Sequence, residues 1–182
     1  MWAGRRKIPR RAAAFSLVEL LISLALIMLL TLALLTSYTF ILRGDQSVSN
    51  YASMNAQARQ LLEILGNDLR TATDVTNFTA SSLTISVPTT PAATATQDVV
   101  WSYDSAAATF TRQDPTTTKI YARDISTFAF YYTNGNNVQT TSLVEVKQVQ
   151  VSLRMLRLVA SSVTSEYVIS AQFTMRAKST SH

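Results

Sequence analysis

Several residue types that build catalytic and metal sites are scarce or missing in this sequence. The chain has no Cys, so it can form neither a disulfide framework nor a thiolate metal site, and cysteine usage does not indicate a redox compartment. Its one His, His182, lies in a polar segment. The chain therefore has no suitable His for a Ser–His triad and too few His residues for a His metal cluster. The four Gly residues, at positions 4, 44, 66 and 135, exclude a glycine-rich phosphate loop. We therefore expect no enzyme activity, no cofactor and no metal.

The acidic residues also give little indication of a catalytic site. Four of them lie near predicted strand ends, where a carboxylate pair could work as acid and base: Asp98, Asp104, Asp114 and Asp124. Solvated loop acids are the commoner arrangement for carboxylates in such positions, and this is the interpretation that we adopt.

Positive charge is concentrated at one end. The chain of 182 residues has 16 Lys and Arg against 11 Asp and Glu. Five basic residues lie within the first 14 positions, without any acidic neighbour: Arg5, Arg6, Lys7, Arg10 and Arg11. The rest of the chain is formally neutral, which argues against a nucleic-acid partner. A basic cluster directly before an apolar segment is the signal that keeps this end of a membrane protein in the cytoplasm.

A long apolar segment follows this cluster. Between Phe15 and Leu42 the only charged side chain is Glu19, and the segment exceeds the about 20 apolar residues that a membrane-spanning helix needs. A carboxylate there is costly and needs a functional reason. From Val48 to Ala72 apolar residues recur at three-to-four spacing, which predicts an amphipathic continuation of the helix with Asp68 among the polar residues of its other faces.

Beyond Asp74 the pattern changes to the period of two that is typical of strands. Runs rich in β-branched and aromatic residues lie at 82–87, 99–103, 109–112, 127–133 and 143–158. A final strand has one apolar face, formed by Tyr167, Ile169, Ala171, Phe173 and Met175. The sequence therefore predicts an α+β fold, in which one face of the helix and one face of an antiparallel sheet form the core.

Turns and loops are predicted between these runs. NGNN at 134–137 predicts a hairpin turn, although the polar stretch to Ser142 also permits a larger loop. A phase change near residues 147–148 predicts a bulge in the strand that follows. The segments 88–97 and 114–119 are predicted loops, and KSTSH at 178–182 is expected to fray.

Three interpretations compete for residues 1–42. A secretory signal peptide has an apolar region of about 7–15 residues with small residues after it, whereas AAA at 12–14 precedes this apolar run. A plain membrane anchor explains the basic cluster and the length but gives Glu19 no partner. The third interpretation is a resemblance: the basic leader, the small residue and FSLVELLISLAL are similar to the class III signal of type IV pilins and type II secretion pseudopilins.

This resemblance implies a processing site and a role for the carboxylate. A prepilin peptidase would cleave between Ala14 and Phe15 and methylate the new amino group of Phe15; Ala14 stands where Gly is commonest in the family. Glu19 would pair with the Phe15 ammonium of a neighbouring subunit, since an unpaired buried charge costs several kcal/mol. Glu19 would thereby set the register between subunits during assembly.

Weaker similarity extends into the rest of the chain. MNAQARQLLEILGNDLRTATDV at 54–75 and VVWSYDSAAATFTR at 99–112 are similar to segments of J-type minor pseudopilins and W-type minor pilins. The alternative is that Asp68 and Arg70 form a solvated pair beside ordinary core residues. No Asp follows Asp124, which argues against a major pseudopilin with its acidic calcium loop, and the lack of Cys argues against a pilin closed by a C-terminal disulfide.

The resemblance implies a noncatalytic minor pseudopilin, an assembly or tip subunit of a type II secretion pseudopilus. Its expected partners are other pseudopilins or pilins, the prepilin peptidase, the inner membrane and its assembly platform. It would cross the bacterial inner membrane once, with a cytoplasmic N-terminus and a periplasmic C-terminal domain, and then join a periplasmic pseudopilus. Two alternatives stay open, which are a minor type IV pilin acting in pilus assembly, adhesion or DNA uptake, and an unprocessed single-pass anchored domain.

The same interpretation divides the chain into five segments. They are a leader at 1–14, a transmembrane and filament-core helix at 15–42, its amphipathic continuation at 43–74, a β-rich periplasmic domain at 75–178 and a tail at 179–182.

Overall fold

The computed structural model describes residues 16–90, 95–159 and 163–178. Within these residues one helix, α1, spans Leu17–Thr71 and precedes all the strands. The strands are β1 (Asp74–Phe78), β2 (Ser82–Pro88), β3 (Thr96–Asp104), β4 (Thr109–Gln113), β5 (Thr118–Ala122), β6 (Ile125–Thr133), β7 (Gln148–Val159) and β8 (Val163–Thr174). A long N-terminal helix followed by antiparallel strands confirms the predicted α+β, pilin-like architecture.

The chain divides into two compact units, Met1–Gly44 and Asp45–His182. In the first unit the described part of α1 is long and apolar enough to cross a membrane, and none of the side chains in its most apolar stretch is buried. Hydroxyl groups along this stretch bond within the helix. Thr31 Oγ1 donates to Ile27 O at 2.8 Å, and Thr36 Oγ1 donates to Ala33 O at 2.9 Å, so these polar groups need no partner from an apolar surrounding.

In the second unit α1 buries one face in the protein core. The buried residues are Met54, Ala58, Leu61, Leu65, Gly66, Asp68 and Leu69. Val48 and Tyr51, which the apolar spacing places on this face, are exposed, so the buried face begins only at Met54. The prediction that Asp68 lies on a polar face is wrong. Asp68 is three residues after Leu65 on a 3.6-residue helix, and this spacing turns it toward the core.

The strands form two antiparallel sheets that share this core. Sheet A has the order β1-β2-β3-β4-β5, and sheet B has the order β6-β7-β8. The largest fully buried side chains come from α1, from both sheets and from the residue that follows β8: Met54, Leu61, Leu65, Leu69, Leu83, Ile85, Trp101, Phe110, Ile125, Leu153, Met155 and Met175. Tyr132 of sheet B also donates from its hydroxyl to the carbonyls of Thr79 and Ser82, at 2.8 and 3.1 Å. Burial raises the pKa of Tyr132 and so preserves this donor.

The connection between β6 and β7 is the larger of the two predicted forms, a loop at 134–147. Asn134 Oδ1 accepts hydrogen bonds from the backbone N–H groups of Asn136 and Val138, and Asn137 adopts a positive φ of 61°. The bulge predicted near residues 147–148 is wrong, because β7 begins at Gln148 and the residues before it form a turn. Val144 and Val146 alternate with polar residues as in a strand, but of these two only Val146 is buried, where the loop enters the core.

The expectation that KSTSH frays is wrong for its first residue. Lys178 is only 3% exposed. Its ammonium donates to Leu143 O and lies 3.3 Å from Asp74 Oδ1, while Lys147 Nζ donates to Lys178 O. These contacts tie the segment after β8 to the 134–147 loop and to the start of β1. Residues 179–182 lie outside the described residues.

Candidate functional site

The N-terminus of α1 is organised by Ser16 and Glu19. Ser16 lies just before the helix, and its Oγ accepts a hydrogen bond from the backbone N–H of Glu19 at 3.3 Å. Its carbonyl accepts from Leu20 N at 3.2 Å. Ser followed three residues later by Glu is the spacing of a capping box. Glu19 also lies in the first turn, where the helix dipole favours a carboxylate.

The contacts described around Glu19 engage its main chain. Ser16 accepts from its N–H, and Ser23 Oγ donates to its carbonyl at 2.7 Å. Neither contact occupies the carboxylate, which lies on the exposed surface of an apolar helix. In an apolar surrounding a carboxylate needs a countercharge or protonation. The Ser16 cap uses only the backbone N–H of residue 19 and so does not explain why this residue is a Glu.

The other predicted residues of this site lie outside the described residues. They are the cleavage pair Ala14 and Phe15, and the basic residues Arg5, Arg6, Lys7, Arg10 and Arg11. The pairing of Glu19 with a Phe15 amine and the cleavage after Ala14 stay predictions.

A second polar site lies in the domain and was missed by the sequence analysis. We call it the Asp68 cluster, consisting of Asp68, Trp101, Arg112 and Asp114. Asp68 Oδ2 accepts from Trp101 Nε1 at 3.1 Å and from Arg112 Nε at 2.7 Å. Arg112 Nη1 donates in turn to Asp114 Oδ2 at 2.8 Å. The cluster joins the last turns of α1 to the adjacent strands β3 and β4.

The charges of this cluster stabilise one another. Desolvation alone would lower the pKa of Arg112, but the hydrogen bond and charge of Asp68, followed by those of Asp114, raise it overall. The pKa of Asp114 is lowered, chiefly by hydrogen bonds from the side chain and backbone of Thr116 and from the backbone of Thr117. Both groups are therefore charged at neutral pH. Asp68 and Arg70 do not form a solvated pair, since Asp68 is buried against Arg112.

Three of the four acids considered as catalytic candidates, Asp104, Asp114 and Asp124, serve turns or ion pairs. Asp104 Oδ1 accepts from the N–H groups of Ala106 and Ala107, at 2.8 and 3.2 Å. Asp124 Oδ2 lies 2.6 Å from Arg157 Nε, and Asp98 is exposed on β3. Among the described residues no group of three His, Cys, Asp or Glu side chains could hold a metal ion. These contacts fasten turns and strands to one another.

Taken with the fold, the N-terminal site defines a class of protein. It is an α+β chain with an exposed apolar helix that suits membrane anchoring, and the one acid of that apolar segment, Glu19, lies in the first turn beside the Ser16 cap. The model of one protein family, described as the prokaryotic N-terminal methylation motif, matches residues 9–35. This motif indicates a precursor similar to type IV pilins and pseudopilins, and it implies processing by a prepilin peptidase and assembly with other pilin subunits. Proteins that carry this signal are structural. No curated protein matches the chain.

Proposed function

We propose that this chain is a noncatalytic minor pseudopilin, an assembly or tip subunit of a type II secretion pseudopilus. The observation that carries the proposal is the N-terminal methylation motif at residues 9–35, which ends within the apolar first half of α1. The second half of the same helix supplies a face of the domain core. A processed anchor and a folded domain thus share one helix, as an assembly subunit requires.

In this proposal Glu19 acts through charge pairing. Cleavage before Phe15 creates an amine where the leader had a peptide bond, and assembly brings that amine of one subunit to Glu19 of another. An ion pair in an apolar bundle stabilises the matched stagger, because any other stagger leaves the carboxylate unpaired at a cost of about 3–5 kcal/mol. The Ser16 cap supports this function by fixing where the helix begins.

The Asp68 cluster supports the proposal from the other end of α1. It joins the helix to β3 and β4 through a carboxylate that is 7% exposed and a guanidinium that is 18% exposed. The second half of α1 is thereby held to β3 and β4 as part of one folded domain. In this proposal the surface of that domain selects the neighbouring subunits.

Composition favours a minor subunit of a secretion system. The chain lacks the Cys of a disulfide-closed pilin and has no Asp after Asp124 for an acidic calcium loop. Outside the leader it is formally neutral, which favours protein partners over DNA.

The first experiment measures the intact mass and N-terminal sequence of the protein from host membranes, with and without the prepilin peptidase. We expect a peptidase-dependent N-terminus at Phe15 that carries one methyl group. An unprocessed N-terminus in both strains would mean a plain membrane anchor and would remove the basis of the Glu19 proposal.

A second experiment separates secretion from a pilus function. The gene for this chain is deleted, and the export of type II substrates and pilus-dependent twitching or DNA uptake are measured in the same strain. We expect loss of export with pilus functions intact, restored by the wild-type chain. The opposite pattern would favour a minor type IV pilin.

A further inference from the structure

The turn that follows β6 contains an Asn next to a Gly. Asn134 is the only Asn of the chain that Gly follows. Gly135 is exposed, and nothing lies within 4 Å of the position that a Cβ would take. Among the described residues, the N–H group of Gly135 donates to no acceptor. A backbone nitrogen that is open to solvent and free of a hydrogen bond therefore lies beside a side-chain amide.

The side chain of Asn134 is folded back over the peptide bond to Gly135. Its Oδ1 accepts from the backbone N–H of Asn136 at 2.9 Å, which closes a ring that mimics a β-turn. This ring includes Cγ, Cβ, Cα and C of Asn134 and the nitrogen of Gly135, which are the five atoms of a succinimide. The fold thus holds the amide carbon and the nitrogen near each other, and this removes much of the entropic cost of a reaction between them.

Two backbone donors also activate the amide of Asn134. Besides the N–H of Asn136, the N–H of Val138 donates to Oδ1, at 3.0 Å. Attack on Cγ places negative charge on Oδ1, and N–H groups already directed at this oxygen stabilise the charge as it develops. The N–H of Asn134 in turn donates to Val138 O at 2.9 Å, which holds the turn in this arrangement. The turn therefore combines a nearby nucleophile with a polarised carbonyl.

We infer that Asn134 and Gly135 form a self-modifying site, at which the folded turn promotes the loss of ammonia from Asn134. Hydroxide takes the proton of the Gly135 nitrogen, and this nitrogen forms a bond to Cγ of Asn134. The C–N bond of the side-chain amide then breaks, and the departing nitrogen takes a proton from water and leaves as ammonia. Water finally opens the succinimide, either at Cγ, which gives Asp, or at the main-chain carbonyl carbon, which gives isoaspartate.

The two products would change the loop in different ways. An Asp keeps the oxygen that accepts from residues 136 and 138, and it adds one negative charge. Isoaspartate inserts a Cβ into the main chain directly after Thr133, the last residue of β6. It would thereby displace the loop whose Leu143 O accepts from the Lys178 ammonium. This modification goes beyond the proposed function and is independent of it, because it needs only the folded domain.

The test uses the full-length chain in an uncharged detergent at mildly alkaline pH, with peptide mapping by mass spectrometry to follow the conversion of amide to acid at each Asn. The matched variant is Gly135→Ala, which the turn accepts without strain, since φ of Gly135 is not positive and its Cβ position is open. We expect conversion to be concentrated at Asn134 and to be at least about tenfold slower in the variant, because a methyl group hinders closure of the ring. Equal rates in the two proteins would contradict the inference.

The contribution of the fold is measured by repeating the incubation in guanidinium chloride. We expect the wild-type chain to convert Asn134 at least as fast when folded as when unfolded. A slower reaction in the folded chain would overturn the inference, because the turn would then protect Asn134. Equal conversion at Asn136 or Asn137 would overturn it as well, since neither precedes a Gly.

Fragmentation by electron transfer distinguishes the two products at residue 134. We expect both isoaspartate and Asp, because water can open either carbonyl of the succinimide. Formation of Asp alone would mean direct hydrolysis of the side-chain amide by water, which would contradict attack by the Gly135 nitrogen.

Discussion

At the scale of single residues, Asp68 has the most consequential environment in the domain. One of its carboxylate oxygens accepts hydrogen bonds from an indole and from a guanidinium, and both donors come from strands more than 30 positions away along the chain. Because the Trp101 side chain is fully buried, its N–H group has no water to replace this acceptor. The cluster therefore depends on Asp68 more than on any other member.

Asp68→Ala should destabilise the domain by about 2–4 kcal/mol, because it leaves a largely buried guanidinium and a buried N–H without their acceptor. Urea unfolding of the full chain in detergent, followed by near-ultraviolet circular dichroism, measures the loss. The control is Glu166→Ala, which removes the exposed pair with Arg154 and should cost at most about 1 kcal/mol. The Asp68→Ala, Arg112→Met double variant should recover part of the stability; equal losses for Asp68→Ala and Glu166→Ala would contradict the assignment.

Acid stability should depend on Asp114. Its folded-state pKa is lowered by hydrogen bonds from Thr116 and Thr117, so the charged form favours the folded state. The stabilisation is complete above the unfolded pKa of about 3.9 and is lost as the pH falls through the lower folded value. Asp114→Asn should therefore flatten the decline in stability below about pH 4. Unfolding of both proteins between neutral and acidic pH tests this, and an unchanged decline would exclude Asp114 as a contributor.

At the scale of elements, the packing of β8 on α1 requires a glycine. A Cβ at Gly66 would lie 2.7 Å from Phe173 Cε1, well inside van der Waals contact, whereas nothing lies within 4 Å of the corresponding position at Gly44. Both glycines are inside α1, where Ala is intrinsically better by about 1 kcal/mol. The two positions therefore separate helix propensity from packing.

Gly66→Ala should destabilise the second unit by about 1–2 kcal/mol, because the strain of moving the Phe173 ring outweighs the gain in helix propensity. Gly44→Ala should cause no loss. Adding Phe173→Leu to Gly66→Ala should restore part of the stability by making room. Thermal unfolding in a single detergent compares the four proteins, and a stabilising effect of Gly66→Ala would show that helix and strand separate readily.

The strands that the sequence predicts are those that contribute most to the core. The structure confirms the strands predicted at 82–87, 99–103, 109–112 and 127–133, which are β2, β3, β4 and β6. The last strand has the predicted apolar face. β1 and β5 have no such signal, since both are edge strands of sheet A, and in each only one residue is buried. An edge strand is held by backbone pairing on one side, and backbone pairing leaves little trace in composition.

The two polar sites also differ in how much of each can be predicted from the sequence. Ser16 and Glu19 are three residues apart, so their capping relation is visible in the sequence. Asp68 and Arg112 are 44 residues apart, and only the fold brings them together. One local signal was available, because Asp68 follows Leu61 and Leu65 at core spacing. An acid at such a position indicates a buried partner, but not which basic residue provides it.

At the scale of the whole molecule, the proposed assembly depends on the charge of Glu19. Glu19→Gln keeps the backbone contacts with Ser16 and Ser23 and removes the charge. We expect normal membrane insertion and cleavage, but a loss of at least tenfold in the amount that enters filaments. Losing an ion pair worth about 3 kcal/mol would lower the equilibrium constant for assembly by more than a factor of 100. Immunoblots of sheared filaments and of membranes measure both pools.

The matched control is Ser23→Ala, which removes the hydroxyl that donates to the Glu19 carbonyl and leaves the carboxylate in place. It should enter filaments like the wild type. Loss of incorporation in both variants would indicate that helix stability, and not charge pairing, limits assembly. Normal incorporation of Glu19→Gln would contradict the register role directly.

The burial of Trp101 has a practical consequence for following this protein. The chain has two Trp residues, and the other one, Trp2, lies in the proposed leader. After cleavage at Phe15, all indole fluorescence would come from one fully buried ring that donates a hydrogen bond to Asp68. The processed chain would then carry its own optical probe at the junction of helix and sheet, so that its folding could be observed in membranes without any added label.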